Sequence, residues 1–401
     1  MEMMNLQEPK PIAITTPDVP TQEGPDGIRF DFCCGLRVQL PEGGPYLVAA
    51  VDTETGITVC DSDVHGNGRI SSHEKYYIPF AFMVYDYARG ETVFRHRMDL
   101  RGQNVLILIT VTTLGDTLAW MPQAEAFRER TGCTLFLIVS QPLRAILERQ
   151  YPDIIFLDPG EEVGVNWYAI YKLGLWWDDD ADEYRPIDHR LCSLSDAAAH
   201  ILGNEPREIK PRFDLTAPRL IDEPYVCIAV QSSMASKNWH AQGWLDVVRF
   251  LKQCGYRVLC IDKEAVVSDG RYTTAIPNGA DDLTGGFSLQ DRINQIKDAD
   301  FFIGLSSGLS WLAWGCNVPV VMIGGFSLPY SEFYTPYRVI NKHTCKGCWN
   351  DVRHDFQRTN WAWCPRHQDT PREHECMRSI TSHQVIETIK RIPAFRERMG
   401  K

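Results

Sequence analysis

The sequence contains no apolar run approaching the ~20 residues that a membrane-crossing helix requires, which excludes a helical span and membrane insertion of that kind. It also lacks a basic excess. The formal charge is −11, so a general nucleic-acid binder, which needs a cationic face to neutralise phosphates, is excluded. Small anionic ligands stay open, because they need only one local site. The opening residues Met1–Pro11 hold no apolar segment of signal-peptide type, and a cytoplasmic protein is the expectation. A paired cysteine framework is missing too. The cysteines number 13, and several, such as Cys133, Cys227 and Cys260, sit in strand-like apolar runs as small buried hydrophobes of a reducing compartment.

What is present is a chain of 401 residues, too long for one ordinary core and suited to two or three domains. Residues 1–24, rich in Pro, Thr and Glu without periodicity, read as a loose arm. Over residues 25–102, short runs such as Ile28–Phe32, Tyr46–Val51 and Tyr76–Tyr85 are bounded by Gly, Pro and Asp, as in a small antiparallel β-domain. From residue 103 the pattern changes. Val105–Val111 is a continuous apolar run of a strand buried on both faces. Asp116–Thr131 has helical spacing, Cys133–Val139 and Ile154–Leu157 are further strands, and Pro142–Gln150 is a short helix. A connecting region follows to about Pro224, with Asp178–Glu183 as a solvated acidic loop. Alternation then restarts: strands at Tyr225–Val230, Tyr256–Ile261, Phe301–Gly304 and Pro319–Ile323 interleave with helices at Gln242–Cys254, Leu289–Ala299 and Leu309–Cys316. The expected fold class is α/β. Two Rossmann lobes occupy 103–222 and 223–342, after the N-terminal antiparallel β-domain and before a cysteine-bearing finger at 343–378 and a C-terminal helix at 379–401.

The finger has the spacing Cys345-x2-Cys348-x15-Cys364-x11-Cys376. Two residues between thiols let both sulfurs face one ion, and four thiolates complete a closed, structural shell. Thiolates suit zinc or iron, and spacing does not choose between them. His343, His354, His367 and His374 lie in or near the finger and read as surface histidines.

Two motifs stand at strand-to-helix junctions, where ligands of α/β lobes bind. In Thr112-Thr113-Leu114-Gly115-Asp116, Gly115 permits a tight turn and the first helical turn offers free N–H groups. Asp116 there is either a helix cap or a catalytic carboxylate, with equal weight. In Ser306-Ser307-Gly308-Leu309-Ser310-Trp311, small residues admit a phosphate to the backbone and hydroxyls can donate to it. Lys237 follows the Tyr225–Val230 strand, where a lysine can neutralise a diphosphate. Asp262, after the next strand, is placed to bind ribose hydroxyls or to make a turn.

At these motifs the chain resembles the GT-B heptosyltransferases over about residues 104–340. The Thr113–Asp116 turn matches their Leu-Gly-Asp element, and Phe302–Gly325 is similar to their second-lobe phosphate loop. Where that superfamily has Asp-Thr/Ser-Gly and a later His, Ser306-Ser307-Gly308 and Trp311 stand instead. The departures, with Gly325-Phe326-Ser327-Leu328-Pro329, Ser331-Glu332-Phe333-Tyr334-Thr335-Pro336, the finger and the β-domain, resemble the bacterial autotransporter heptosyltransferases nearly end to end. The resemblance implies a double Rossmann GT-B fold and heptose transfer from ADP-heptose to serine hydroxyls of an autotransporter adhesin passenger region, in the cytoplasm. It also implies one structural iron per chain on Cys345, Cys348, Cys364 and Cys376, with zinc as alternative, and a dodecamer. The expected roles are Asp116 as general base of an inverting transfer, and Lys237 with the Ser306–Gly308 loop receiving ADP, without a catalytic metal. Thr112, Thr113, Leu114, Gly115, Asp262, Leu309 and Trp311 complete the expected donor site. The rivals are a transferase using another sugar nucleotide and a non-catalytic nucleotide-binding metal scaffold.

Overall fold

The computed structural model describes residues 16–400 apart from 112, 162, 178–180 and 358. Thr112, the first fifteen residues of the arm and the aspartates 178–180 of the acidic loop lie outside the described residues. The first lobe is built on an eight-stranded sheet. Its parallel part runs Ile154–Leu157, Thr134–Ile138, Asn104–Ile109, Ala169–Leu173 and Arg29–Cys33. Arg37–Gln39 and Arg69–Ser71 extend it antiparallel, and Gln22–Glu23 pairs beside Arg29–Phe30. Val105 to Ile109 are all buried, because the central strand is covered on both faces. The helix Leu114–Thr131 follows and stops at Gly132, which takes the left-handed conformation (φ 67) that ends helices.

A four-stranded antiparallel sheet, Thr58–Val64, Tyr46–Asp52, Phe80–Asp86 and Glu91–Arg97, packs against this lobe. The β-rich N-terminus is therefore divided. Half forms its own sheet, and half continues the first Rossmann sheet, so residue 102 is not a break in the strand order. The join is made by backbone bonds from Phe32 N to Tyr168 O and from Cys34 N to Ile170 O, both 2.9 Å. Phe32 seals it against Phe80 and Tyr168.

Three further expectations are corrected. The connecting region contains the central strand Ala169–Leu173 and the helix Leu194–Leu202, capped by Ser193 accepting from Asp196 N. The end of the acidic stretch is a short helix, Ala181–Tyr184, with Ala181 buried, rather than solvated loop. The C-terminal helix is two, Ser382–Ile389 and Pro393–Met399, because Pro393 cannot continue the first and is suited to open the second.

The second lobe is an all-parallel six-stranded sheet in the order Asp281–Asp282, Arg257–Cys260, Tyr225–Ile228, Phe302–Leu305, Val320–Ile323, Arg338–Val339. Chain order reverses between the Tyr225 and Phe302 strands, and loops leaving their carboxyl ends there are the expected ligand site. The C-terminal helices close its far face through Ile389, Ile392 and Phe395. Among the described residues no helix is long and apolar enough to cross a membrane.

Candidate active site

The two expected junctions meet. Thr113, extended at φ −73°, precedes the Leu114 helix, and Ser307, at φ −149°, precedes the Gly308–Gly315 helix of the other lobe. A Cβ on Gly115 would stand 3.0 Å from Trp311 Cδ1, and one on Gly308 would stand 2.7 Å from Leu114 Cβ. Both glycines are therefore needed for close approach of the lobes. Each helix start carries backbone N–H groups without intrahelical acceptors, so two positive helix ends converge at this seam. Trp311, expected as a donor contact, is instead buried in the seam against Phe333 and Trp314.

Asp116 is half-buried in the first turn of its helix, and the Thr113 hydroxyl donates to its carboxylate. Lys237, in the turn Ala235–Lys237, faces it from the second lobe. The Lys237 ammonium sits 5.0 Å from the centroid of the Phe326 ring. Burial pushes its pKa below the ordinary lysine value, against the opposing pull of Glu332 and, less, of Asp116. A carboxylate of one lobe and an ammonium of the other thus share one electrostatic site.

The serines of the second junction differ. Ser306 donates its hydroxyl to the buried Glu332, which also accepts Ser327 Oγ at 2.5 Å and Arg338 Nη1 at 2.7 Å. Ser307 Oγ is buried with no hydrogen-bond partner among the described residues. A buried hydroxyl without a partner is costly in the absence of a ligand. Glu332 is a site residue that sequence reasoning quoted within a motif and left without a role.

A cavity of about 870 Å³ opens beside the seam between the lobes. Leu114, Leu309, Lys263, Phe287, Ser288 and Arg292 are among the residues that line it. Arg292 lies 4.8 Å from the Phe287 ring centroid, so a flat aromatic with a cation behind it borders the space. Lys263 and Phe287 stand on loops without periodicity, Ser288 caps the helix Leu289–Ile296 and Arg292 lies within it, and the sequence reading gave none of them a role. Asp262 does not face the cavity. It is buried, and accepts the backbone N–H groups of Val230 at 2.7 Å and Gln231 at 3.2 Å. Burial raises its pKa to about 6 despite those bonds. Its carboxylate braces the strand end, a correction to the ribose contact expected of it.

Cys348, Cys364 and Cys376 are buried and Cys345 is half-buried. Cys345, Cys348 and Cys364 all act on the Cys376 thiol, which is hydrogen-bonded to Cys345 and pushed far above its usual value. The ligand atoms of Cys345, His367 and Glu375 lie within 4.8 Å of one another. His374 Nε2 donates to Ala362 O, 2.9 Å away, and the residue is buried rather than on the surface. The cysteine-bearing segment is seated on the loops that carry Lys237 and Phe326. Ala235 N donates to Trp361 O (2.9 Å), Gly347 N to Gly325 O (2.8 Å) and Trp349 N to Phe326 O (3.2 Å). Phe326, Met234, Cys348 and Trp363 form one small apolar core beneath Lys237.

Comparison with known proteins shows the family. The family model for the N-terminal domain of glycosyltransferase TibC matches residues 24–88, and that of glycosyltransferase family 9 (heptosyltransferase) matches residues 188–360. The autotransporter heptosyltransferase BAHTCr of Citrobacter rodentium is 44% identical over 388 residues, 96% of this chain and 94% of its own. The crystal structure of the iron-containing dodecameric glycosyltransferase TibC from enterotoxigenic E. coli H10407 matches with a TM-score of 0.91 at 44% identity, covering 94% of this chain and 99% of that one. TibC has also been crystallised in complex with ADP-D-β-D-heptose. BimC of Burkholderia thailandensis, described as an inactive autotransporter heptosyltransferase, is 39% identical over 94% of this chain and 89% of its own.

Proposed function

The chain belongs to the autotransporter heptosyltransferases, and from that premise we propose that it moves heptose from ADP-heptose to serine hydroxyls on the passenger region of an autotransporter adhesin, with inversion. The observation that carries this reading is the pairing of Asp116 and Lys237 across two converging helix starts. Asp116 accepts the serine proton as the serine oxygen bonds to the anomeric carbon. The bond from that carbon to ADP breaks on the opposite face, which inverts the centre. Lys237, the first amides of the Gly308 helix and the Ser307 hydroxyl receive the charge that develops on the diphosphate. Thr113 orients the base. The cavity between Leu309 and Phe287 takes the nucleoside, its rings against apolar surface and its polar edges towards Lys263 and Ser288.

Cys345, Cys348, Cys364 and Cys376 would hold one iron per chain, with zinc as the alternative. The fit is supported by a soft donor set, in which the Cys345 and Cys376 thiols are hydrogen-bonded, on a segment with little regular structure of its own. Bound there, the metal supplies a cross-link. The finger's own residues transmit order to the site, through Trp361 to Ala235 and through Trp349 to Phe326. By the same likeness, the chain assembles as a dodecamer, and the proposal puts its action in the cytoplasm, before its acceptor is exported.

The test is to incubate the protein with ADP-heptose and a passenger fragment and to weigh the fragment intact. A gain of one or more heptose units is the expected result. No gain, with ADP-heptose still bound, favours the second reading, a nucleotide-binding scaffold without chemistry, which the inactive relative BimC makes specific. Competition among sugar nucleotides identifies the donor.

A further inference from the structure

The four-stranded antiparallel sheet of the N-terminus buries one face and leaves the other partly open to solvent. Side chains alternate along its strands. Tyr46, Val48 and Ala50, with Phe80, Phe82 and Val84, point inward and are buried in the first lobe's core. The outward positions of the same two central strands are Leu47, Ala49 and Val51, and Ala81, Met83 and Tyr85, all half-buried. An antiparallel sheet with one face in water carries polar residues on that face. This one carries two adjacent apolar columns, and an apolar patch of that kind marks an interaction surface. The register sets Leu47 beside Tyr85, Ala49 beside Met83 and Val51 beside Ala81. A groove of about 350 Å³ runs over the columns, bordered also by Arg95 and Arg97.

Charge divides the two rims. On one side Asp61 stands beside Ala49 and Asp63 beside Leu47. On the other, Arg95 stands beside Met83 and Arg97 beside Ala81. All four are exposed, and among the described residues none is in an ion pair; Asp63 accepts the Tyr87 hydroxyl (2.8 Å) and Arg95 reaches Thr92 Oγ1 (3.4 Å). An acidic rim, two apolar columns and a basic rim are complementary to themselves under one operation. A two-fold axis lying between two stacked sheets and parallel to their strands exchanges left and right, so each row meets the same row reversed. Asp61 of one copy then faces Arg95 of the partner subunit, and the small Ala49 faces the larger Met83 of the partner subunit. The in-plane axis across the strands stacks acid on acid and base on base, and is excluded.

We infer that this face is an interface between two copies of the chain, made by the axis parallel to the strands. The inference rests on the reading of the chain as an assembly of many copies. Four strands of seven residues each cover about 19 by 24 Å, so the contact takes about 450 Å² from each copy. That is about 900 Å² in all, below the ~1,200 Å² of a stable isolated pair. The contact therefore closes a larger assembly whose copies other surfaces already hold near one another.

The experiment weighs the full chain by mass photometry across a dilution series. Arg95→Glu and Asp61→Arg, each at an exposed position, set like charges against each other on both sides of the axis. Each should raise the concentration at which the assembly falls into smaller species about tenfold or more, with Tm unchanged. The double variant D61R/R95E exchanges the rims, restores opposite charges across the axis and should return the wild-type mass at the wild-type concentration. A folding defect gives no such rescue. Single variants of wild-type mass throughout the series, or a double variant as dissociated as the singles, overturn the inference. So do single variants of wild-type mass whose passenger KM rises, because the face then belongs to the acceptor. A wild-type chain that stays monomeric at every concentration overturns the assembly reading itself, a distinct failure.

Discussion

The helix starting at Leu114 and the helix starting at Gly308 are built alike and behave as chemical opposites. Each follows a buried parallel strand, each is preceded by an extended hydroxyl residue, and each carries a glycine in its first turn where the other lobe presses in. At the first, the hydroxyl of Thr113 is taken by the Asp116 carboxylate; at the second, the hydroxyl of Ser307 is left without a partner among the described residues. One junction therefore presents a proton acceptor and the other presents donors. The strand-turn-helix frame supplies position and a positive dipole end in both. In the proposed mechanism a single side chain at the third helical residue, Asp116 against Ser310, separates the two roles, because Ser310 turns back to Leu305 O.

That contrast can be broken in order of expected effect. Asp116→Asn removes the proton acceptor and should lower kcat by about 10²–10⁴-fold while ADP-heptose binding by calorimetry persists; retained turnover would erase the difference between the junctions. Lys237→Ala, between them, should lower kcat about 10²-fold, read from the rate of mass gain on the passenger fragment. Cys348→Ser should release the metal, seen by elemental analysis, and lower Tm by about 5 °C or more, with weaker donor binding because Phe326 loses its support. Ser307→Ala should cost about 1.5 kcal/mol of transition-state stabilisation, roughly tenfold in kcat/KM for the donor with kcat lowered. Gly308→Ala should destabilise by about 1–3 kcal/mol through the clash with Leu114, and a neutral result would mean that the lobes do not need this approach.

The alternating strands and helices of both lobes were legible because burial on both faces leaves continuous apolar runs, as in Val105–Ile109 and Val320–Ile323. Non-local pairing left no such mark. Arg29–Cys33 keeps its local antiparallel partner Arg37–Gln39 but also pairs in parallel with Ala169–Leu173, and a partner some 140 residues away imposes no spacing on either strand. Asp116, Lys237 and Ser307 were legible from position at strand ends, and the structure brings them to one seam. Trp311 and Asp262 occupied equally suggestive positions but turned to packing and to backbone amides. The sequence fixes where a residue sits along a strand and not which neighbour claims its side chain. The cavity residues Lys263 and Phe287 were invisible because loops need no periodicity, and Glu332 because a buried charge is recognised only by what surrounds it.

The three backbone bonds that seat the finger, at Ala235, Gly347 and Trp349, have a dynamic consequence. Their amide protons are shared between the finger and the loops carrying Lys237 and Phe326, so neither side can expose them by local fraying. Exchange with solvent at all three requires the finger to lift as a unit. Their protection then reports a single opening free energy, and the motion of the donor loop runs on the timescale of a segment whose chemistry lies in its cysteines.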